Sequence, residues 1–169
     1  DCGLKVMLVE EQPRAGGSLC WQWTADPVAT QLLSEQLAAV QDSPNITLRC
    51  ETQAAGCYAD NWVALVDRRR LTKLRARAIV LATGVIEQPA VFQNNDLPGV
   101  MLASAAQRLL HQYAVSPCRR PLIMTANDEG YQLANELAEL EIPVAGIVDL
   151  RCDADHPTWQ KRTTENGIP

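Results

Sequence analysis

The stretch Ala78-Ile79-Val80-Leu81-Ala82-Thr83-Gly84 (AIVLATG) decides the fold. An unbroken apolar run suits a strand covered on both faces, as in a parallel sheet. It empties into Thr83 and Gly84, a hydroxyl and an unhindered backbone. In open α/β sheets ligands gather at that carboxyl edge of the strands. Alone, the run also fits a strand with a plain turn behind it, so the residues before it matter.

Upstream, Lys5-Val6-Met7-Leu8-Val9 reads as a buried strand ending in Glu10, with Glu11 beside it. An acid at the end of such a strand offers two acceptor oxygens to the two hydroxyls of an adenosine ribose. Many strands end in Glu, so this signal is weak until Gly16, Gly17 and Ser18 follow. Paired glycines let a backbone approach a bulky group where any Cβ would collide, although a simple Gly-Gly turn has the same composition. Asp26 and Pro27 then start a helix as N-cap and first residue, and Val28, Leu32, Leu33, Leu37 and Val40 recur at helical spacing up to Gln41. Ile46–Leu48 reads as a short strand. Thr52–Tyr58, Trp62–Asp67 and Leu71–Ala76 alternate as an antiparallel meander, turning at Asp60-Asn61 and at Arg68-Arg69-Arg70. The small residues around Ala54 suit a backbone edging past an adenine, or an ordinary tight strand. The arginine run is expected to be a solvated hairpin turn.

Downstream, a loop spans roughly Gln88 to Gly99. Its Asn94-Asn95-Asp96 either faces a nucleotide or partner, or forms a turn that satisfies its own backbone. Glu87 is read as a positioning or salt-bridge residue rather than a catalytic one. Helix 103–113, strand 122–125, helix 129–140, strand 144–148 ending in Asp149, and a helix 157–166 capped by Gly167 complete the chain. Ile168-Pro169 would begin another strand, and Gly3 is a helix C-cap candidate. Both ends are therefore expected to cut through βα units.

Composition excludes several classes. The 169 residues are 47% hydrophobic and 21% charged with a net charge of −5, which fits a globular chain and no nucleic-acid surface. No apolar stretch approaches the ~20 residues of a membrane span, and no signal segment is legible, so a cytoplasmic location is expected. The six cysteines form no CxxC pair, and His111 and His156 stand alone, so no metal site is expected. The four tryptophans are read as core or interface residues.

The segments Glu10–Leu19 (EEQPRAGGSL), Thr52–Asn61 (TQAAGCYADN), Ile79–Pro89 (IVLATGVIEQP), Val91–Ser104 (VFQNNDLPGVMLAS) and Met124–Tyr131 (MTANDEGY) resemble the alpha subunit of heterotetrameric sarcosine oxidase. They also resemble the FAD-containing subunits of opine oxidases and hydrogen cyanide synthase. The resemblance covers nearly the whole chain, and the NNDLPGVM string of residues 94–101 carries most of its specificity. It implies an α/β protein with two nested Rossmann-like dinucleotide-binding folds, similar to thioredoxin reductase, and a small antiparallel meander. Residues 1–96 would form a partial FAD- or NAD-binding domain lacking its first strand and glycine loop, and residues 97–169 a partial second Rossmann-like domain.

The resemblance further implies a component of a hetero-oligomeric oxidase that demethylates a secondary amine, together with a flavin and a folate domain outside these residues. Glu10 and Glu11, Gly16, Gly17, Ser18, Ala54, Thr83 and Gly84 would hold the ADP part of NAD or FAD, with Glu10 and Thr83-Gly84 converging from neighbouring parallel strands. No residue is assigned a catalytic role, and the chain alone is expected to be inactive. In the second domain Asp149 stands 24 residues after Thr125, where a ribose-binding acid belongs. Yet the turn Thr125–Gly130 keeps only one glycine of GxGxxG, so that site is read as degenerate with Asp128 as a helix N-cap. The alternatives are a component of an opine- or hydroxyproline-type flavoprotein dehydrogenase, or a non-catalytic module kept for subunit contacts.

Overall fold

A computed structural model describes residues 3–21, 27–152 and 157–169. The chain forms two units, the first comprising residues 3–20 and 27–86, the second Trp21 with residues 87–152 and 157–169.

The first unit begins with β1 (Val6–Val9), α1 (Pro27–Asp42) and β2 (Ile46–Arg49). β1 and β2 pair in parallel, from Val6 opposite Ile46 to Val9 opposite Arg49. A parallel connection needs a crossover, which α1 supplies. Leu33, Leu37 and Val40 make its half-buried stripe. The expected N-cap Asp26 lies outside the described residues, as do the side chains of Pro27 and Val28.

The meander follows as β3 (Gln53–Tyr58), β4 (Trp62–Val66) and β5 (Leu71–Arg75), each pair antiparallel. Its core is Val63 and Leu65 on the central strand, alternating with half-buried Ala64 and Val66. Asp60 and Asn61 turn the first hairpin at φ +57° and +56°, which short Asx side chains tolerate better than most. In the second, Asp67 accepts from the backbone N–H groups of Arg69 and Arg70 at 2.8 and 3.0 Å. Those donors hold its carboxyl below the usual range. The arginine run is the exposed turn its composition implied.

One expectation fails here. Residues 78–81 form no strand. They are irregular and exposed, with Val80 at 89% and Leu81 at 76% of full accessibility. β1 pairs only with β2, and no ladder reaches residues 78–84 among the described residues. A strand exists by its neighbours' hydrogen bonds, and no second strand is offered to this one.

The second unit contains α2 (Ala103–Tyr113), β6 (Leu122–Thr125), α3 (Glu129–Glu139), β7 (Gly146–Asp149) and α4 (Pro157–Glu165). β6 and β7 pair in parallel, Leu122 opposite Gly146 and Thr125 opposite Asp149, with α3 as the crossover. Ala106, Ile123, Leu133, Ala134, Leu137, Val144 and Ile168 form the core. Gly130 lets α3 press onto β6: a Cβ there would sit 2.4 Å from the Thr125 Cβ. Past α4, Gly167 takes φ +67°, and the Pro169 carbonyl accepts from Ile147 N–H at 2.9 Å.

Two fully buried polar residues on α3 join this unit together. Asn135 donates to the Tyr131 carbonyl at 2.8 Å and to Thr163 Oγ1 at 3.2 Å, and accepts from Asn166 at 2.9 Å. Glu136 accepts from Gln107 Nε2 at 2.9 Å and is paired with His111 Nε2, both on α2. His111, expected to stand alone, is thus a partner of a buried carboxylate. Buried charge is costly unless paired and hydrogen-bonded, and these contacts meet that need.

Candidate functional site

In the first unit the candidate residues stand on the segments that leave β1, β3 and the meander. Glu10 follows β1 directly. Its N–H donates to the Arg49 carbonyl at 2.9 Å, and its carbonyl accepts from Thr52 N–H at 3.0 Å. The end of β1 is thereby stitched to the chain that carries β2 into β3. The half-buried Glu10 side chain uses Oε1 to accept from Gln12 N–H at 2.8 Å. Its Oε2 has no hydrogen bond among the described residues and remains an acceptor for an incoming hydroxyl. Glu11 is exposed, with Gln12 Nε2 donating to Oε1 at 3.3 Å.

The paired glycines differ from one another. Gly16 has φ +133°, and a Cβ would meet Cys20 Sγ at 2.6 Å and Leu33 Cδ1 at 3.1 Å. Its missing side chain thus makes room for the protein's own packing against α1. Gly17 has φ +57° with nothing within 4 Å of its Cβ position, and it opens a short 3-10 turn that includes the exposed Ser18. Ala54 pairs with Leu65 beside a register shift between Ala54 and Gly56 in β3, the kind of irregularity that interrupts a ladder locally. Thr83 and Gly84 are exposed, Gly84 at φ +69° with open space around it. No strand ladder or hydrogen bond among the described residues joins them to Glu10.

Glu87 plays a part that local reading could not specify. Its two carboxylate oxygens accept from the backbone N–H groups of Ala103 and Ser104, at 3.0 and 2.8 Å. A carboxylate on the first N–H groups of α2 satisfies orphan donors and complements the helix dipole. Glu87 so closes the base of the 88–102 loop. Within that loop Asn94 takes φ +70°. Asn95 N–H donates to the Phe92 carbonyl at 3.2 Å, and Asn95 Nδ2 to the Ala90 carbonyl at 3.0 Å. For Asn94 and Asn95 the local-turn reading describes what is seen.

In the second unit Asp149 ends β7, adjacent to Thr125 at the end of β6. Its Oδ1 accepts from Arg151 N–H at 2.9 Å and Nε at 3.0 Å. Its Oδ2 accepts from Arg151 Nη2 at 2.7 Å and Tyr131 O–H at 3.0 Å. The Arg151 side chain, followed by its backbone N–H, holds the Asp149 carboxyl well below the ordinary carboxylate range. Burial and then the Asp149 contact push the Tyr131 hydroxyl up. Arg151 Nη1 also reaches Asp128 Oδ1 at 3.0 Å. Asp128 holds the N-cap position of α3, as expected, but its side chain makes no capping bond. The nearby side-chain acceptor is Asn127 Oδ1, which accepts from Glu129 N–H at 3.1 Å.

Among the described residues no three His, Cys, Asp or Glu side chains gather as a metal site, and no helix is long and apolar enough to cross a membrane. Burial raises the Cys118 thiol and so disfavours its thiolate.

No family model matches the chain. It is 37% identical over 165 residues to the sarcosine oxidase alpha subunit of Rhizobium meliloti (strain 1021), covering 88% of this chain and 17% of that protein. It is 25% identical over 163 residues to an opine oxidase subunit of Agrobacterium tumefaciens (strain Ach5), covering 87% of this chain and 32% of that protein. The crystal structure of L-proline dehydrogenase from P. horikoshii superposes with a TM-score of 0.75 at 24% identity, over 86% of this chain and 30% of that one. The chain is therefore homologous to part of the sarcosine oxidase alpha subunits and of these opine oxidase proteins, and its fold is α/β.

Proposed function

We propose that this segment holds the ADP part of a dinucleotide, NAD or FAD, inside one component of a hetero-oligomeric flavoprotein oxidoreductase that demethylates a secondary amine. Its homology to proteins named as subunits of sarcosine and opine oxidases supports the amine-oxidoreductase class and the existence of other subunits. The observation that carries the binding role is Glu10. It stands at the carboxyl end of a parallel strand, half buried, with one carboxylate oxygen held by Gln12 N–H and the other without a protein donor among the described residues. In open α/β sheets that place accepts ribose hydroxyls.

The other candidate residues suit the rest of the ligand. Among the described residues, Gly17 and Gly84 present backbone with no atom beyond their chain neighbours within 4 Å of their Cβ positions, as a diphosphate would require. Thr83, beside Gly84, supplies a hydroxyl donor. Ala54, at the irregular edge of β3, offers backbone to an adenine. Ser18 and Glu11 border the glycine turn. A flavin bound in such a complex would supply the electron-accepting chemistry. The chain's own task is to bind and orient the nucleotide.

The test is Glu10→Ala in the full-length protein, assembled with its partners. Loss of a hydrogen bond to a charged acceptor costs about 1.5–3 kcal/mol. Dinucleotide affinity should therefore fall by about ten- to a hundredfold. Unchanged affinity by isothermal titration would remove the proposal.

A second reading, a module for subunit contacts, is favoured by one observation. Val80, Leu81, Val85, Ile86 and Val91 are all at least 76% exposed, an unusual run of apolar side chains in water. Native mass spectrometry with the partner subunits decides between the two, because a contact module assembles fully when stripped of nucleotide.

A further inference from the structure

The turn that opens α3 reads Thr125-Ala126-Asn127-Asp128-Glu129-Gly130, and it lies in register with the glycine pattern GxGxxG. Thr125, Asn127 and Gly130 take the three glycine positions. In the working pattern the first glycine makes the tight turn, the second admits the pyrophosphate, and the third allows close helix–strand packing. Gly130 keeps the third task, since a Cβ there would fall 2.4 Å from Thr125 Cβ. The other two positions have been filled.

Thr125 Oγ1 donates to the Asn127 carbonyl at 2.8 Å and accepts from Asn127 N–H at 3.2 Å, which locks the turn over itself. The Asn127 Oδ1 then sits on the Glu129 N–H at 3.1 Å. Helix N-terminal N–H groups are where a pyrophosphate oxygen binds. At the neighbouring strand end, Asp149 has the place of the ribose acid. Both its oxygens are already engaged by the Arg151 N–H, Nε and Nη2 and by the Tyr131 hydroxyl, at 2.7–3.0 Å. Arg151 Nη1 continues to Asp128 Oδ1 at 3.0 Å, so its guanidinium spans from the strand end to the helix start. Two carboxylates beside one guanidinium leave the edge net negative, against a pyrophosphate.

We infer that Asn127 and Arg151 are the resident ligands of this second Rossmann-like unit: an amide oxygen stands in for a phosphate oxygen, and a guanidinium for the ribose hydroxyls. The second unit is thus closed to dinucleotides by its own side chains. Any dinucleotide bound by this segment is held by the first unit alone. That last step rests on the assignment of Glu10, whereas the filling of the second crevice does not.

The experiment is equilibrium dialysis of the full-length assembly, stripped of nucleotide, against labelled ADP-ribose up to millimolar concentration. Four proteins are compared: wild type, Glu10→Ala, Glu10→Ala with Asp149→Asn, and Glu10→Ala with Asn127→Gly and Arg151→Ala. The expected result is one equivalent in wild type, and in the next two the same single equivalent weakened alike by about ten- to a hundredfold. The protein freed of both resident ligands should gain a further saturable equivalent. Binding that survives Glu10→Ala and disappears with Asp149→Asn overturns the inference, because the second crevice would then be open. Failure of the emptied crevice to bind, with unchanged far-ultraviolet circular dichroism and melting, also overturns it. Binding that keeps its wild-type affinity through both Glu10→Ala and Asp149→Asn defeats the first-unit assignment but upholds the closed second crevice.

Discussion

Gly130→Ala is the substitution whose cost the geometry fixes most closely. The added methyl would stand 2.4 Å from Thr125 Cβ, 2.6 Å from its Oγ1 and 2.9 Å from its Cγ2. Carbon atoms rest about 3.5–4.0 Å apart, so α3 has to retreat from β6 by about 1 Å. Thr125 cannot rotate away freely, since its Oγ1 is engaged with the Asn127 backbone at 2.8 Å. The retreat would loosen Leu133, Ala134 and Leu137 against Ile123 and Val144. Overpacking of this kind costs about 1–3 kcal/mol, and a restrained obstacle belongs at the upper end. Alanine recovers about 1 kcal/mol of helix propensity. The net expectation is a loss of roughly 2 kcal/mol, read from urea denaturation of the chain followed at the helix signal. Thr125→Gly removes the obstructing Cβ, so the pair should show a favourable coupling of about 1–2 kcal/mol in a double-mutant cycle. A neutral or stabilising Gly130→Ala would refute the close seating of α3 on β6.

Two further outcomes follow from the same geometry. Glu87→Ala removes both side-chain acceptors from the start of α2 and should cost about 1 kcal/mol in denaturation experiments, with Glu87→Gln retaining part of it. Asp149 has a folded pKa below its ordinary 3.8, with Arg151 the principal cause. The carboxylate therefore contributes stability above the unfolded value, and that contribution fades as pH falls below about 4 toward the lower folded pKa. Denaturation midpoints between pH 7 and pH 2 should drop less steeply in Asp149→Asn than in wild type. A parallel pair of curves would show that the Arg151 contacts do not hold the charge.

Most element positions were legible because periodicity is a local property. The meander, α2 and β6 fall within a residue or so of the places predicted by alternation and helical spacing, since each pattern is written in adjacent residues. The misreading of residues 78–81 has the opposite cause. Apolar content says that a segment ought to be covered, but only a neighbouring strand can cover it, and β1 pairs with β2 alone among the described residues. Likewise the sequence announced that position 16 must lack a side chain without saying that Cys20 and Leu33 occupy the space.

Contacts across many residues were the least legible. His111 finds Glu136 from 25 residues away, and Glu87 finds the α2 N-terminus from 16. The signal available in sequence was an acid at position 136 among the buried residues of α3, which demands a buried partner. At the α3 start, Asp128 and Asn127 are both good cap residues. Asp128 takes the N-cap position, but its carboxylate meets Arg151, and Asn127 Oδ1 accepts from the Glu129 N–H.

The central claim, that the first unit holds the adenosine end of a dinucleotide through Glu10, is tested most directly by a crystal structure of the full-length protein with its nucleotide bound. Such a structure should put a ribose hydroxyl within about 2.5–3.0 Å of the Glu10 carboxylate, with Gly17 and Gly84 alongside the diphosphate. A ribose on any other acid, with Glu10 facing solvent, contradicts it.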